Sequence, residues 1–150
     1  IKNETIEKLA DLIKPKLIDN EVTVINDEIL TNAIKLYQDR EKNLNVFSED
    51  ILYFFKEVSP SEDLKNKYLD EKSKSLVKIF IDGLDDLSWT DEVINNFLKD
   101  FVKKQEIKFP EIAMPLRTII AGTDNTPSIG SIIFILGIKD IKKRISAILE

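Results

Sequence analysis

Cysteine and histidine are both absent from this 150-residue chain. Without cysteine there can be no disulfide, no thiolate–zinc site and no cysteine nucleophile. The composition fits a reducing compartment better than a small secreted scaffold, so cytoplasm is the expected location. Without histidine the usual general base near neutrality, the commonest metal ligand and every nucleophile–histidine dyad are missing. Catalysis by this chain alone is therefore not expected. Glycine is scarce as well, at four residues. No Asn-Gly pair, and no Asp-Gly pair set between alternating apolar runs, offers a hairpin, so a sheet has little to start from. No apolar run approaches the roughly 20 residues that cross a bilayer, and residues 1–10 form a charged amphipathic stretch, unlike a signal-peptide core.

The chain is 43% hydrophobic and long enough to bury one sizeable core or two small adjoining ones. Its net charge of -5 argues against a non-specific nucleic-acid binder, whose affinity comes mainly from neutralising phosphates. That charge is unevenly spread. Residues 1–100 hold 14 Lys and Arg against 22 Asp and Glu, whereas residues 101–150 hold 8 against 5. Such segregation can mark a nucleic-acid face, and it can equally reflect acidic helices that solubilise the first part of the chain.

Helical periodicity runs throughout. Ile6, Leu9, Leu12, Ile13 and Leu17 follow a 3.6-residue stripe that Pro15 should bend or end. Asn26 reads as an N-cap, with Ile29, Leu30, Ala33, Ile34 and Tyr37 forming the next stripe to about Arg40. A third helix spans Leu44 to Phe55. Ser59-Pro60-Ser61 then breaks the chain before a short helix near Glu62 to Tyr68, and Leu76, Val77, Ile79, Phe80 and Leu84 mark a fifth. Thr90 caps a sixth that has acids in its first turn, where the helix dipole favours them. Beyond Lys108 an apolar segment with Pro110 and Pro115 ends at Ala121-Gly122. Thr126-Pro127 opens another helix with proline at its first position, Gly137 stops it, and a last helix carries Lys139, Lys142, Lys143 and Arg144 on its outer face. The expectation is an all-α fold of about nine helices in two adjoining helical subdomains, 1–87 and 88–150, divided around Asp85 to Trp89.

Three segments invite a chemical reading. Lys72-Ser73-Lys74-Ser75 faintly matches the phosphate-holding Lys-Met-Ser-Lys-Ser loop of class I synthetases. The methionine is missing and the run leads straight into an apolar stripe, so a solvated helix start is the better account. Three acids between Asp82 and Asp86 lack further oxygen ligands at loop-like spacing and read as hydrated surface. No glycine-rich phosphate loop occurs, so neither a nucleotide cofactor nor a metal is expected to bind here. The third segment is Met114-Pro115-Leu116-Arg117-Thr118-Ile119-Ile120-Ala121-Gly122, followed by Thr126-Pro127-Ser128-Ile129 and Ile135-Leu136-Gly137. From the residues alone, Arg117 can present a planar five-donor fork to an unstacked base. Thr126 and Pro127 would lie where helix amides favour electronegative groups, and Ile129 could offer an apolar wall. The alternative is that Arg117 bonds carbonyls of a proline-disrupted helix while Thr126 caps its neighbour.

The order and spacing of these residues, over about Phe109 to Leu149, are similar to the C-terminal anticodon-binding region of bacterial-type glutamyl-tRNA synthetases. Their pattern is Pro-Leu-Arg, an apolar stretch ending in Gly, a loop, Ser/Thr-Pro-x-Leu/Ile, Leu-Gly and a basic helix. Leu36 to Leu44 and Leu87-Ser88-Trp89-Thr90 resemble the same family, so the likeness spans most of the chain.

The resemblance implies an anticodon-binding module within a longer ATP-dependent enzyme that joins glutamate to tRNA. The missing catalytic domain would bind ATP, glutamate and Mg2+, and this chain would bind no cofactor. The implied partner is tRNA(Glu), with tRNA(Gln) left open; no membrane partner is expected, and monomer is the default. Residues implied to approach the first two anticodon bases are Arg117, Thr126, Pro127 and Ile129. Arg40, placed by the Arg40-x-Lys42-x-Leu44 spacing, is implied to sense the third base, although a solvated helix-end cation would look the same. The family often has an aromatic residue and an acid where this chain has Gly130 and Ser131, so stacking by that aromatic is lost or replaced. A non-enzymatic helical protein-interaction module remains the alternative from another class.

Overall fold

The computed structural model describes residues 4–41 and 43–149. Among them there are nine α-helices and no strand, in line with the all-α expectation. Contacts group the chain into two compact units, Ile1–Glu57 and Val58–Glu150.

The first unit contains α1 (Ile6–Asp19), α2 (Asp27–Tyr37) and α3 (Leu44–Asp50), the last continued by a 3-10 turn at Leu52–Phe54. Side chains of Thr5, Asn26 and Asn43 cap the three helices by accepting amide hydrogen bonds of their first turns. Helix α1 runs through Pro15 to Asp19 and is not ended by it. Pro15 lies on the solvent side, between the buried Ile13 and Leu17, so water can serve the carbonyl that its missing N–H leaves unpaired. The stripe expected as one helix from Leu44 to Phe55 is split at Ile51, because the tighter turn brings Ile51, Tyr53 and Phe54 all into the core. Helix α1 packs against both α2 and α3 through Leu9, Ile13 and Leu17. The Tyr37 and Tyr53 hydroxyls hydrogen-bond each other at 2.8 Å inside this unit, and burial pushes the Tyr37 phenol up to about 12.

The second unit contains α4 (Glu62–Tyr68), α5 (Glu71–Asp82), α6 (Asp91–Lys104), α7 (Pro110–Ala121), α8 (Ile129–Leu136) and α9 (Ile138–Leu149). Helix α7 is its centre. Eight of its twelve residues are buried, and it packs against α4, α5, α8 and α9. A helix that is apolar nearly all round must be enclosed in this way. Pro110 sits in its first turn, where a missing N–H leaves no helical bond unmade, and Pro115 is accommodated without ending the helix. Gly122 terminates it with φ +71, a conformation that an L side chain rarely adopts. On the other side of the unit α6 packs along α8.

The contact boundary at Glu57–Val58 lies well before the division read around Asp85 to Trp89. Helix α5 buries Leu76, Val77 and Phe80, and its packing partner is α7. Phe80 meets Phe97 and Phe101 of α6 at 5.3 and 5.4 Å between ring centres. An apolar stripe says that a helix has a buried face; it does not say which neighbour covers that face. The Lys72–Ser75 run occupies the first turns of α5 behind the N-cap Asp70, as a solvated helix start should.

Candidate nucleic-acid interface

In the second unit α7 delivers Arg117 and the segment before α8 delivers Thr126. Arg117 is half-buried on α7, beside Met114 one turn back, whose sulfur lies 3.9 Å from one guanidinium nitrogen. Its Nε donates to Thr126 Oγ1 at 3.0 Å, and the Thr126 hydroxyl in turn donates to the Pro127 carbonyl at 2.8 Å. Thr126 is 8% exposed. The guanidinium is thus held from one side by a neutral acceptor, and its donors form a planar fork. Helix α7 continues through Pro115, and the side-chain cap of α8 is Ser128 and not Thr126.

The start of α8 lies two residues later than expected. Ser128 is the N-cap, its hydroxyl accepting from the Ser131 amide at 3.4 Å, and Ile129 is the first helical residue. Pro127 therefore precedes the cap and is not the first residue of the helix. Its fixed φ stiffens the lead-in that carries Thr126. Ile129, read from sequence as an apolar wall for a base, is only 1% exposed and belongs to the core beneath the segment.

The loop between α7 and α8 is tied at further points. The Tyr68 hydroxyl at the end of α4 donates to Asp124 Oδ2 at 3.0 Å, and the Asn125 amide donates to Thr123 Oγ1 at 3.2 Å. Arg144 of α9 reaches back to the end of α7: its NH1 donates to the Ile120 carbonyl at 2.7 Å while Nε pairs with Asp140 at 3.0 Å. That carbonyl is one of the last four of α7, which lack helical partners, so Arg144 caps the helix from outside. The expected basic outer face of α9 must be corrected for this residue, whose side chain is 12% exposed and points inward. Lys142 pairs instead with Asp85. No feature of the sequence marked Tyr68, Asp124 or Arg144 as part of this assembly, because each acts through a partner more than twenty positions away.

Arg40 belongs to the first unit, in the turn after α2, where its amide donates to the Tyr37 carbonyl at 2.9 Å. Its guanidinium carbon lies 5.9 Å from the centre of the Tyr37 ring, within cation–π range. The neighbouring Glu41 is 8% exposed. Burial pushes its carboxyl up to about 7, with a hydrogen bond and repulsion from Asp50 adding to the effect and the Arg40 charge opposing it. Lys42, the middle residue of the Arg40-x-Lys42-x-Leu44 spacing, lies outside the described residues. Among the described residues no cluster of three or more acids could hold a metal ion, and no helix is long and apolar enough to cross a membrane.

Comparison with known proteins gives this geometry its context. Residues 8–149 match the anticodon binding domain family. The glutamate–tRNA ligase of Neisseria meningitidis serogroup C is 33% identical over 150 residues, covering 98% of this chain and 32% of the relative. That of Methylobacillus flagellatus is 31% identical over 150 residues, covering 100% and 32%. The chain thus spans about a third of the length of these curated relatives. Among solved structures, a glutamate–tRNA ligase from Elizabethkingia meningosepticum shares the fold with a TM-score of 0.85 at 20% identity, over 97% of this chain and 29% of that one. The glutamate–tRNA synthetase of Elizabethkingia anophelis does so with a TM-score of 0.81, also at 20% identity, over 97% and 28%. With the family match running unbroken from α1 to α9 and through the Arg117–Thr126 pair, this chain belongs to the anticodon binding domain family.

Proposed function

We propose that this chain reads the anticodon of tRNA(Glu) within a glutamate–tRNA ligase, an enzyme that attaches glutamate to tRNA at the expense of ATP. The observation that carries the reading is the family match over residues 8–149, which encloses both Arg40 and the Arg117–Thr126 pair. In this reading Arg117 and the Thr126-Pro127 segment meet the first two anticodon bases, and Arg40 meets the third and favours tRNA(Glu) over tRNA(Gln). ATP, glutamate and Mg2+ bind elsewhere in the full-length protein, which works in the cytoplasm.

The chemistry supports these roles. A base splayed from an RNA loop offers edges that a guanidinium can bond directionally, and its face can stack on the same plane. The hydrogen bond to Thr126 engages one edge of the Arg117 fork and fixes the direction of the rest. Arg40, set over the Tyr37 ring, is held by an aromatic surface of its own unit.

The test is binding of tRNA(Glu), and of the same tRNA with its anticodon substituted, over a range of salt concentration. Base reading with phosphate contacts gives a clear negative salt slope together with a preference for the cognate anticodon. A helical protein-interaction module would bind neither tRNA specifically, and that result would overturn the proposal.

A further inference from the structure

The first turns of α6 and α8 are joined by side chains alone, at a place where a glycine makes room. A Cβ built on Gly130 would come 2.6 Å from Asn95 Cγ, and closer still to Oδ1, inside any real contact distance. The space that a residue-130 side chain would need is thus filled by the Asn95 amide. Both ends of that amide are engaged. Its Oδ1 accepts from the Ser128 hydroxyl at 3.2 Å, and its Nδ2 donates to the Asp91 carbonyl at 2.9 Å and to the Asp91 carboxylate. The same carboxylate accepts from the Ser131 hydroxyl, 3.0 Å from each oxygen. Asp91 and Asn95 of α6 therefore hold Ser128 and Ser131, the cap and the third residue of α8. The indole of Trp89 adds a bond to the Phe134 carbonyl at 3.1 Å further along.

Ser128 stands two residues after Thr126, and Pro127 between them has its φ fixed by the ring, so displacement of the cap is passed to Thr126 with little loss. Thr126 in turn sets the direction of the Arg117 fork. From this chain of contacts we infer that Asn95 is a positioning residue for anticodon readout: its amide, admitted by Gly130, fixes the start of α8 and through it the Thr126–Arg117 pair. The inference rests on the proposed function. Asn95 touches no base in this scheme. It determines where Thr126 stands.

Four proteins test it: the unsubstituted chain, Asn95→Ala, Gly130→Ala and the double variant. Each is assayed for affinity toward tRNA(Glu) and toward the same transcript with its first two anticodon bases substituted, with thermal unfolding measured in parallel. Asn95→Ala should weaken tRNA(Glu) about tenfold, the loss expected when one well-placed hydrogen bond fails, and leave the substituted transcript unchanged. Gly130→Ala should do the same, because its methyl displaces the Asn95 amide. In the double variant the second substitution should add little, since the atoms that it would strike are gone. The positioning role is overturned if Asn95→Ala keeps the full preference for tRNA(Glu), if the two losses simply add, or if both transcripts weaken equally alongside a lowered melting temperature. Equal binding of the two transcripts by the unsubstituted chain would instead remove the base-reading proposal, and the role of Asn95 would fall with it.

Discussion

Arg117 donates from Nε to Thr126 Oγ1 at 3.0 Å, joining the middle of α7 to the lead-in of α8 across nine positions of sequence. This bond leaves one edge of the guanidinium for Thr126 and orients the other. Arg117→Lys removes the fixed fork and should lower affinity for tRNA(Glu) about tenfold to a hundredfold, on the order of 1–3 kcal/mol, as for loss of one bidentate base contact. Thr126→Val, which keeps the shape and deletes the acceptor, should cause a smaller loss of the same anticodon-dependent kind. A double-mutant cycle between Arg117→Ala and a substituted first or second anticodon base measures the coupling, with circular dichroism confirming the helices. Additive effects in a folded protein would make Arg117 a packing or phosphate residue.

Arg40 is expected to act on the choice between tRNAs. Arg40→Gln should bring the charging of tRNA(Gln) by the full-length enzyme closer to that of tRNA(Glu), since the neutral amide loses both the charge and the five-donor fork. Arg40→Lys should also relax the choice, because an ammonium does not reproduce the plane set over Tyr37. Unchanged relative charging by both variants would take Arg40 out of the recognition.

Glu41 gives the first unit a pH dependence of definite sign. Its carboxyl titrates at about 7 in the fold against 4.5 ordinarily, so between these values the folded state holds the proton more tightly than the unfolded state. Stability from this group is therefore fully present below about 4.5 and is lost as pH rises through about 7. The loss is on the order of 1–3 kcal/mol. Urea unfolding followed by the near-ultraviolet signal of Tyr37 and Tyr53 should show the midpoint falling across this window. Glu41→Gln, neutral at every pH, should flatten the profile. A midpoint that rises with pH in the native chain and is unaltered in the variant would contradict the assignment.

Arg144 should matter to stability more than its neighbours on α9. Arg144→Met leaves the Ile120 carbonyl without its donor and Asp140 without its partner, at a cost of about 1–3 kcal/mol. For a unit of this size that lowers the melting temperature by roughly 4–8 °C per kcal/mol. Fluorescence of Trp89, the single tryptophan and a residue of the second unit, reads the transition. Lys139→Met, at an exposed position of the same helix, should change it by little more than about 0.5 kcal/mol. Equal shifts for the two variants would deny Arg144 its capping role.

Much of this protein was written in the order of its residues. The 3.6-residue stripes located the helices, since an apolar face repeats at the period of the backbone whatever covers it. Asn26, Ser61 and Thr90 marked helix starts because a cap acts within three residues of itself. Gly122 and Gly137 marked ends. The run from Met114 to Gly137 carries the family resemblance, and with it Arg117 and Thr126. Sequence did not determine relations between distant residues. Pro15 read as a bend or an end of its stripe, and only the surroundings show that the helix continues through it. The stripe of α5 was plain, yet its allegiance to α7 depended on which side chains lay opposite. Arg144 read as one more surface cation until the open carbonyl of Ile120 gave it a reason to turn inward. Gly130 stood out as a departure from a family pattern, and only the fold showed that Asn95, thirty-five positions earlier, occupies the space. Local signals are fixed by bonds that span a turn or less. These pairings are decided by packing, which brings together groups that no spacing rule connects.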